Sequence, residues 1–215
     1  MTTDSKPQPR VPKVILVGDS IRLSYAPLVA EKLASEATIV SPAANGGDSS
    51  NVLKNVQKWI ISEQPEIVHF NCGIHDTKYF EASGKFQISP QQYEQNLRAI
   101  VERIRGETKA TILFATSTPI LDERAAATRQ GRDYVLTNAA ITQYNEIAVR
   151  VMAELKVPVN DLNARLSMPK PPAEPDQMIG ADGVHLTDAG KVILADAVAE
   201  LIASHLKTTS IDRDQ

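Results

Sequence analysis

Apolar residues follow two rhythms along the chain. Five short runs rich in Val, Ile and Thr, at 13–17, 37–40, 66–71, 110–116 and 157–160, read as strands. Between them, apolar positions recur every three or four residues, as on one face of a helix. Val52, Val56, Trp59 and Ile60 mark such a face over 50–62, and Tyr93, Leu97, Ile100, Val101 and Ile104 mark another over 90–105, which Ser89-Pro90 would start. Ile141, Tyr144, Ile147, Ala148 and Val151 do the same over 138–155. A short helix is expected over 26–35. Thr187 would cap a last helix to about 206, with Val192, Ala195, Val198, Leu201 and Ile202 facing inward.

Alternating strands and helices predict an α/β fold of three layers, α/β/α, around a five-stranded parallel sheet covered on both faces. The flavodoxin-like strand order 2-1-3-4-5 is the natural expectation, with the ligand crevice beyond the carboxyl ends of the strands, beside strand 1. Residues 13–206 would form one domain, with 1–12 a disordered N-terminal tail and 207–215 a C-terminal tail. Three connections are long enough to build a pocket: 76–89, 119–137 and 167–181. The last carries Pro169, Pro171, Pro172 and Pro175 and reads as a stiff surface connector, or as a wall that positions residues 182–185.

Composition narrows the class without naming a function. With 42% hydrophobic and 23% charged residues in 215, the chain is an ordinary globular protein. A formal net charge of −3 gives no general pull toward nucleic acid or an anionic membrane, and 5% aromatic residues offer no stacking platform for single strands. The single cysteine, Cys72, cannot make an internal disulfide and reads as a small buried residue. Residues 1–12 lack the apolar stretch of a secretory signal and no run reaches transmembrane length, so a cytoplasmic location is expected. Oligomeric state is not legible.

The candidate chemistry sits at the two ends. Gly18-Asp19-Ser20 follows the first strand, and Asp182-Gly183-Val184-His185 precedes the last helix. A serine hydroxyl attacks at neutral pH only when a base takes its proton; His185 is the candidate base, and Asp182 would hold the other ring nitrogen. A separation of three residues lets the carboxylate fold back onto the ring. Ser20 by itself reads as readily as a helix cap, and Asp182 with His185 as a loop turn and a surface histidine. No Gly-x-Ser-x-Gly elbow, zinc spacing, P-loop or dinucleotide fingerprint is found. His69 reads as a core or edge histidine, and His205 suits the end of a helix. Arg22 reads either as a contact for an anionic substrate or as half of a surface ion pair.

Two further segments, Asn45-Gly46-Gly47-Asp48-Ser49-Ser50 and Gly73-Ile74-His75-Asp76, fall after strands 2 and 3. With the two end motifs they resemble, in order, the conserved blocks of the SGNH (GDSL-type) hydrolases, a likeness running from about residue 13 to 206. The resemblance implies a serine esterase or acylhydrolase that cleaves a small or carbohydrate-linked ester through an acyl-serine intermediate, without cofactor or metal. It assigns Ser20, Asp182 and His185 to a triad. It assigns the oxyanion to the backbone N–H of Ser20, the N–H of a second-block glycine (Gly47, with Gly46 adjacent) and a third-block asparagine amide. Here His75 stands in place of that asparagine. A neutral imidazole can donate one N–H, Asn71 on the same strand can supply the amide, or the hole is one donor short. The last reading gives a slow enzyme or a ligand-binding protein on the same fold. A thioesterase, or acyl transfer from the same serine to an alcohol, remains an alternative.

Overall fold

In a computed structural model, residues 11–167 and 174–211 are described. The strands are β1 (Lys13–Val17), β2 (Thr38–Val40), β3 (Ile67–Phe70), β4 (Tyr79–Phe80), β5 (Lys85–Phe86), β6 (Thr111–Ala115) and β7 (Val159–Asn160). The helices are α1 (Ser20–Lys32), α2 (Ser49–Trp59), α3 (Pro90–Glu107), α4 (Asp122–Thr128), α5 (Asn138–Glu154), α6 (Leu162–Ser167), α7 (Pro175–Met178) and α8 (Asp188–Ile211). Five strands form one parallel sheet in the order β2-β1-β3-β6-β7, the 2-1-3-4-5 order expected. Residues Val14 to Val17 pair with Ile67 to Phe70, and Ile67 to Phe70 with Thr111 to Phe114.

The two-residue strand period divides the core into two layers. Val14, Leu16, Ile67 and Leu113 face α1 and α8, where Ile21, Tyr25, Val29, Leu194, Ala195, Val198 and Ile202 are buried. Ile15, Val17, Val68, Phe70 and Phe114 face α2, α3 and α5, against Val52, Val56, Leu97, Ile100, Tyr144 and Val151. Because central strands are buried on both sides, they read as unbroken apolar runs. A truncation such as Phe70→Ala, at a fully buried position, would cost about 3–5 kcal/mol.

Several elements depart from the expected ones. Helix α1 starts at Ser20, because the Asp19 carboxylate accepts the Ile21 N–H at 2.9 Å and caps it, and it runs through Pro27. Burial of Ile21, Tyr25 and Val29 outweighs the bond Pro27 cannot make. The 76–89 connection contains the β4–β5 hairpin, and 119–137 contains α4, whose Ala125 is its buried anchor. Helix α8 continues past 206 to Ile211. Val192 is 44% exposed instead of facing inward, since it stands about 200° around the helix from buried Leu194. Pro169, Pro171 and Pro172 lie outside the described residues; Pro175 begins α7. Among the described residues no helix is long and apolar enough to cross a membrane.

Candidate active site

Three loops meet at the carboxyl ends of β1, β2 and β3, joined by a fourth that precedes α8. Ser20 is the first residue of α1, so its N–H lacks an intrahelical acceptor, as in any first turn. Its Oγ lies 3.0 Å from Nε2 of His185. The other ring nitrogen, Nδ1, hydrogen-bonds Oδ2 of Asp182. Oδ1 of Asp182 accepts the backbone N–H groups of Val184 at 3.0 Å and His185 at 2.9 Å. Partial burial opposes charge on Asp182, but the bonds from the His185 ring and these two amides outweigh it and hold its pKa down to about 2. A carboxylate facing Nδ1 keeps the proton there, which leaves Nε2 to accept from Ser20. The sequence-predicted serine, imidazole and carboxylate therefore form one hydrogen-bonded chain.

The second-block loop is fixed by Arg22, Asp76 and Asn96. Arg22 lies neither on the surface nor in the lining of the cavity at Ser20. It is 1% exposed, and its guanidinium donates to Ser41 Oγ, Pro42 O, Gly18 O and Ala44 O at 2.6–2.8 Å. It thereby ties the loop after β2 to the turn after β1. Asp76 reaches the same loop from the third block: its carboxylate accepts the Ser49 N–H at 3.0 Å and the Ser49 hydroxyl. Burial pushes its pKa up to about 7 against those bonds. Asn96 adds bonds to the hydroxyls of Ser49 and Ser50.

This scaffold distinguishes the two glycines. The Gly46 N–H is spent on Gly18 O at 2.9 Å, and a Cβ on Gly46 would stand 2.7 Å from that same oxygen. Gly47, at φ +61°, has its N–H held, among the described residues, only by the Asn45 side chain, Oδ1 at 2.9 Å. A ligand oxygen can take the Gly47 donor by displacing that carboxamide.

His75 and Asn71 are also separated. The His75 ring lines a cavity with Ser20, Asn45 and His185 and makes no hydrogen bond to the described residues. Burial pushes its pKa down, assisted by Lys78 and His185 and opposed by Asp19 and Asp48. Asn71 does not line the cavity; its Oδ1 is buried with no partner among the described residues, 1.9 Å from where a Cβ on Gly18 would be. The cavity, about 250 Å³, is completed by Asp19, Ile21, Ile74, Lys78, Arg129, Tyr134, Leu136 and Val184. A larger cavity of about 410 Å³, lined by Thr116, Glu146, Arg150 and Asp161 among others, contains none of the triad residues.

The 182–185 loop rests on α4. Leu121 N–H donates to Gly183 O at 2.9 Å, and Arg129 Nη1 donates to Asp182 O at 2.9 Å. Gly183 has φ +74°, and a Cβ there would lie 2.4 Å from Ala125 N and 2.6 Å from Leu121 O. Thr187 caps α8, its hydroxyl accepting the Gly190 N–H at 3.2 Å. Asn45 was read only as part of the second block, with no role, and Arg129 was not singled out; each lies in a polar stretch where periodicity carries no signal. Cys72 is fully buried, and burial pushes its thiol well up. Among the described residues, no group of three His, Cys, Asp or Glu side chains is arranged to hold a metal.

Comparison with known proteins gives a consistent set. The sequence profile described as the GDSL-like Lipase/Acylhydrolase family matches residues 16–193. A GDSL esterase/lipase of Arabidopsis thaliana is 26% identical over 209 residues, covering 87% of this chain and 84% of that protein. The crystal structure of a lipase/acylhydrolase from Enterococcus faecalis superposes with a TM-score of 0.72 at 21% identity, over 90% of this chain and 96% of that one. Axe2, an acetylxylan esterase from Geobacillus stearothermophilus, superposes with a TM-score of 0.69 at 20% identity, over 88% and 93%.

Proposed function

Because the chain belongs to the GDSL-like lipase/acylhydrolase family, we propose that it is a serine esterase acting on small esters through an acyl-serine intermediate. The observation that carries this reading is the Ser20–His185–Asp182 hydrogen-bonded chain at the edge of a cavity. Ser20 Oγ attacks the ester carbonyl carbon while Nε2 of His185 takes its proton. Asp182, ionised throughout the neutral range, stabilises the imidazolium. The oxyanion is held by the N–H of Ser20, the N–H of Gly47 once Asn45 has left it, and one N–H of a neutral His75. His185 then returns the proton to the departing alcohol, and a water molecule repeats the sequence in reverse to free the acid.

The cavity volume, about 250 Å³, lies below the roughly 300–1,000 Å³ of drug-sized ligand sites. That favours a short acyl group over a long chain. Hydrolysis of 4-nitrophenyl acetate and butyrate by the wild type and by Ser20→Ala tests the reading. We expect turnover in the wild type and its loss in the variant. Equal turnover in both would remove Ser20 from the mechanism.

A further inference from the structure

The cavity beside Ser20 is lined by two cations that meet no carboxylate among the described residues. Lys78 and Arg129 both line it, whereas the carboxyl group that lines it, Asp19, is 1% exposed and committed to the Ile21 N–H. Neither cation forms an ion pair among the described residues. Four other arginines do: Arg98, Arg103, Arg150 and Arg165 each meet a glutamate. The two cations stand in a chain whose net charge is −3.

Both cations are also held in place. Nη1 of Arg129 donates to Ala125 O at 3.2 Å and Asp182 O at 2.9 Å, which leaves the rest of its fork without a partner among the described residues. The Lys78 ammonium sits 5.0 Å from the centre of the Tyr134 ring, where the ring's electron-rich face attracts it. A pre-positioned guanidinium and ammonium on one small cavity match the oxygens of a carboxylate or phosphate, the guanidinium by its fork and the ammonium as a point charge.

We propose that the substrate is an anionic ester, whose carboxylate or phosphate is bound by Lys78 and Arg129 while the ester carbonyl faces Ser20. This rests on the serine-esterase reading for its chemistry. The two cations set specificity: a neutral ester of the same size leaves them solvated, and an anionic one brings them a counter-charge. Charge complementarity of this kind acts on encounter rate and on discrimination between substrates, and it weakens with salt.

The test compares kcat/KM within two matched series. 4-Nitrophenyl butyrate is set against mono-4-nitrophenyl glutarate, which places a carboxylate on the acyl side. Phenyl acetate is set against 4-acetoxybenzoate and 4-acetoxyphenyl phosphate, which place a carboxylate or a phosphate on the leaving side. After correction for alkaline reactivity, at least one anionic ester is expected to be preferred by on the order of tenfold. That preference should fall at least severalfold in Lys78→Met and in Arg129→Met, survive in Lys78→Arg, and shrink in 0.5 M NaCl.

Calorimetric binding of glutarate, 4-hydroxybenzoate and 4-hydroxyphenyl phosphate to Ser20→Ala provides a readout independent of turnover. If Ser20-dependent turnover shows no anionic preference and none of these probes binds, the anion site is wrong and the esterase reading stands. If no ester is cleaved but an anionic probe binds and Lys78→Met abolishes that binding, the esterase reading fails and the anion site stands. Neither turnover nor binding would overturn both.

Discussion

At the scale of single residues, an imidazole in place of an amide changes what can hold an oxyanion. His75 is kept neutral by burial and by the nearby Lys78 and His185, despite Asp19 and Asp48, so it has one N–H to donate. His75→Asn should keep kcat/KM for 4-nitrophenyl butyrate within a fewfold of wild type, because an amide N–H can serve the same oxygen. His75→Ala should lower it by about 10²–10³-fold, as loss of an oxyanion donor usually does; no loss would exclude His75 as a donor. Arg22 acts through the loop it ties. Arg22→Met strands the carbonyls of Pro42 and Ala44 and leaves Gly18 O with the Gly46 N–H alone, and we expect a loss of about 2–4 kcal/mol in urea unfolding. Arg22→Lys should restore only part, since an ammonium cannot span four acceptors with a planar fork.

Among the elements, α4 contributes most beyond its length. Its seven residues, with Leu121 and Arg129 capping its two ends, carry the Asp182–His185 loop, and it is Gly183 that allows the two to approach. A methyl group at Gly183 meets backbone of α4 at 2.4 Å and of its N-cap Leu121 at 2.6 Å, at a positive φ, so Gly183→Ala must push the loop away. Its kcat on nitrophenyl esters should drop by at least about tenfold, since small displacements of catalytic groups are costly. Far-ultraviolet circular dichroism should stay that of the wild type. Unchanged kcat would mean that the loop does not depend on this contact. The helix was not legible in the sequence because only Ala125 among its residues is buried, too few apolar positions to mark a period. The first turn of α1 was missed for another reason: its start depends on one side-chain bond, from Asp19 to the Ile21 N–H.

For the whole molecule, the sheet buries a histidine that must stay neutral. His69 on β3 is fully buried, and burial pushes its pKa down to about 4. The unfolded chain, with a pKa near 6.5, binds the proton more readily, so this residue makes stability fall as pH drops from about 6.5 toward 4, by about 3 kcal/mol in full. Asp76, raised to about 7, acts in the opposite direction over the same range, so the wild-type profile alone mixes the two. Urea unfolding of the wild type and His69→Gln at pH 7 and pH 4.5 isolates the histidine: the stability difference, wild type minus variant, should decrease by about 2–3 kcal/mol at the lower pH. A constant difference would show that His69 does not titrate with unfolding. The alternation of strands and helices, the two-faced core and the separation of Asp182 from His185 were legible in the chain by itself, because periodicity and short spacing are set within a few residues; the strand order followed as the usual one for that alternation. Ser20 and His185 are 165 residues apart, and they meet because a parallel sheet gathers the loops at one end of its strands. Only that assembly decided which glycine keeps an N–H for a ligand, that Arg22 turns inward to bind carbonyls, and that Lys78 and Arg129 share a cavity. Each of these depends on which distant backbone or side chain occupies the neighbouring space, and no local pattern records that.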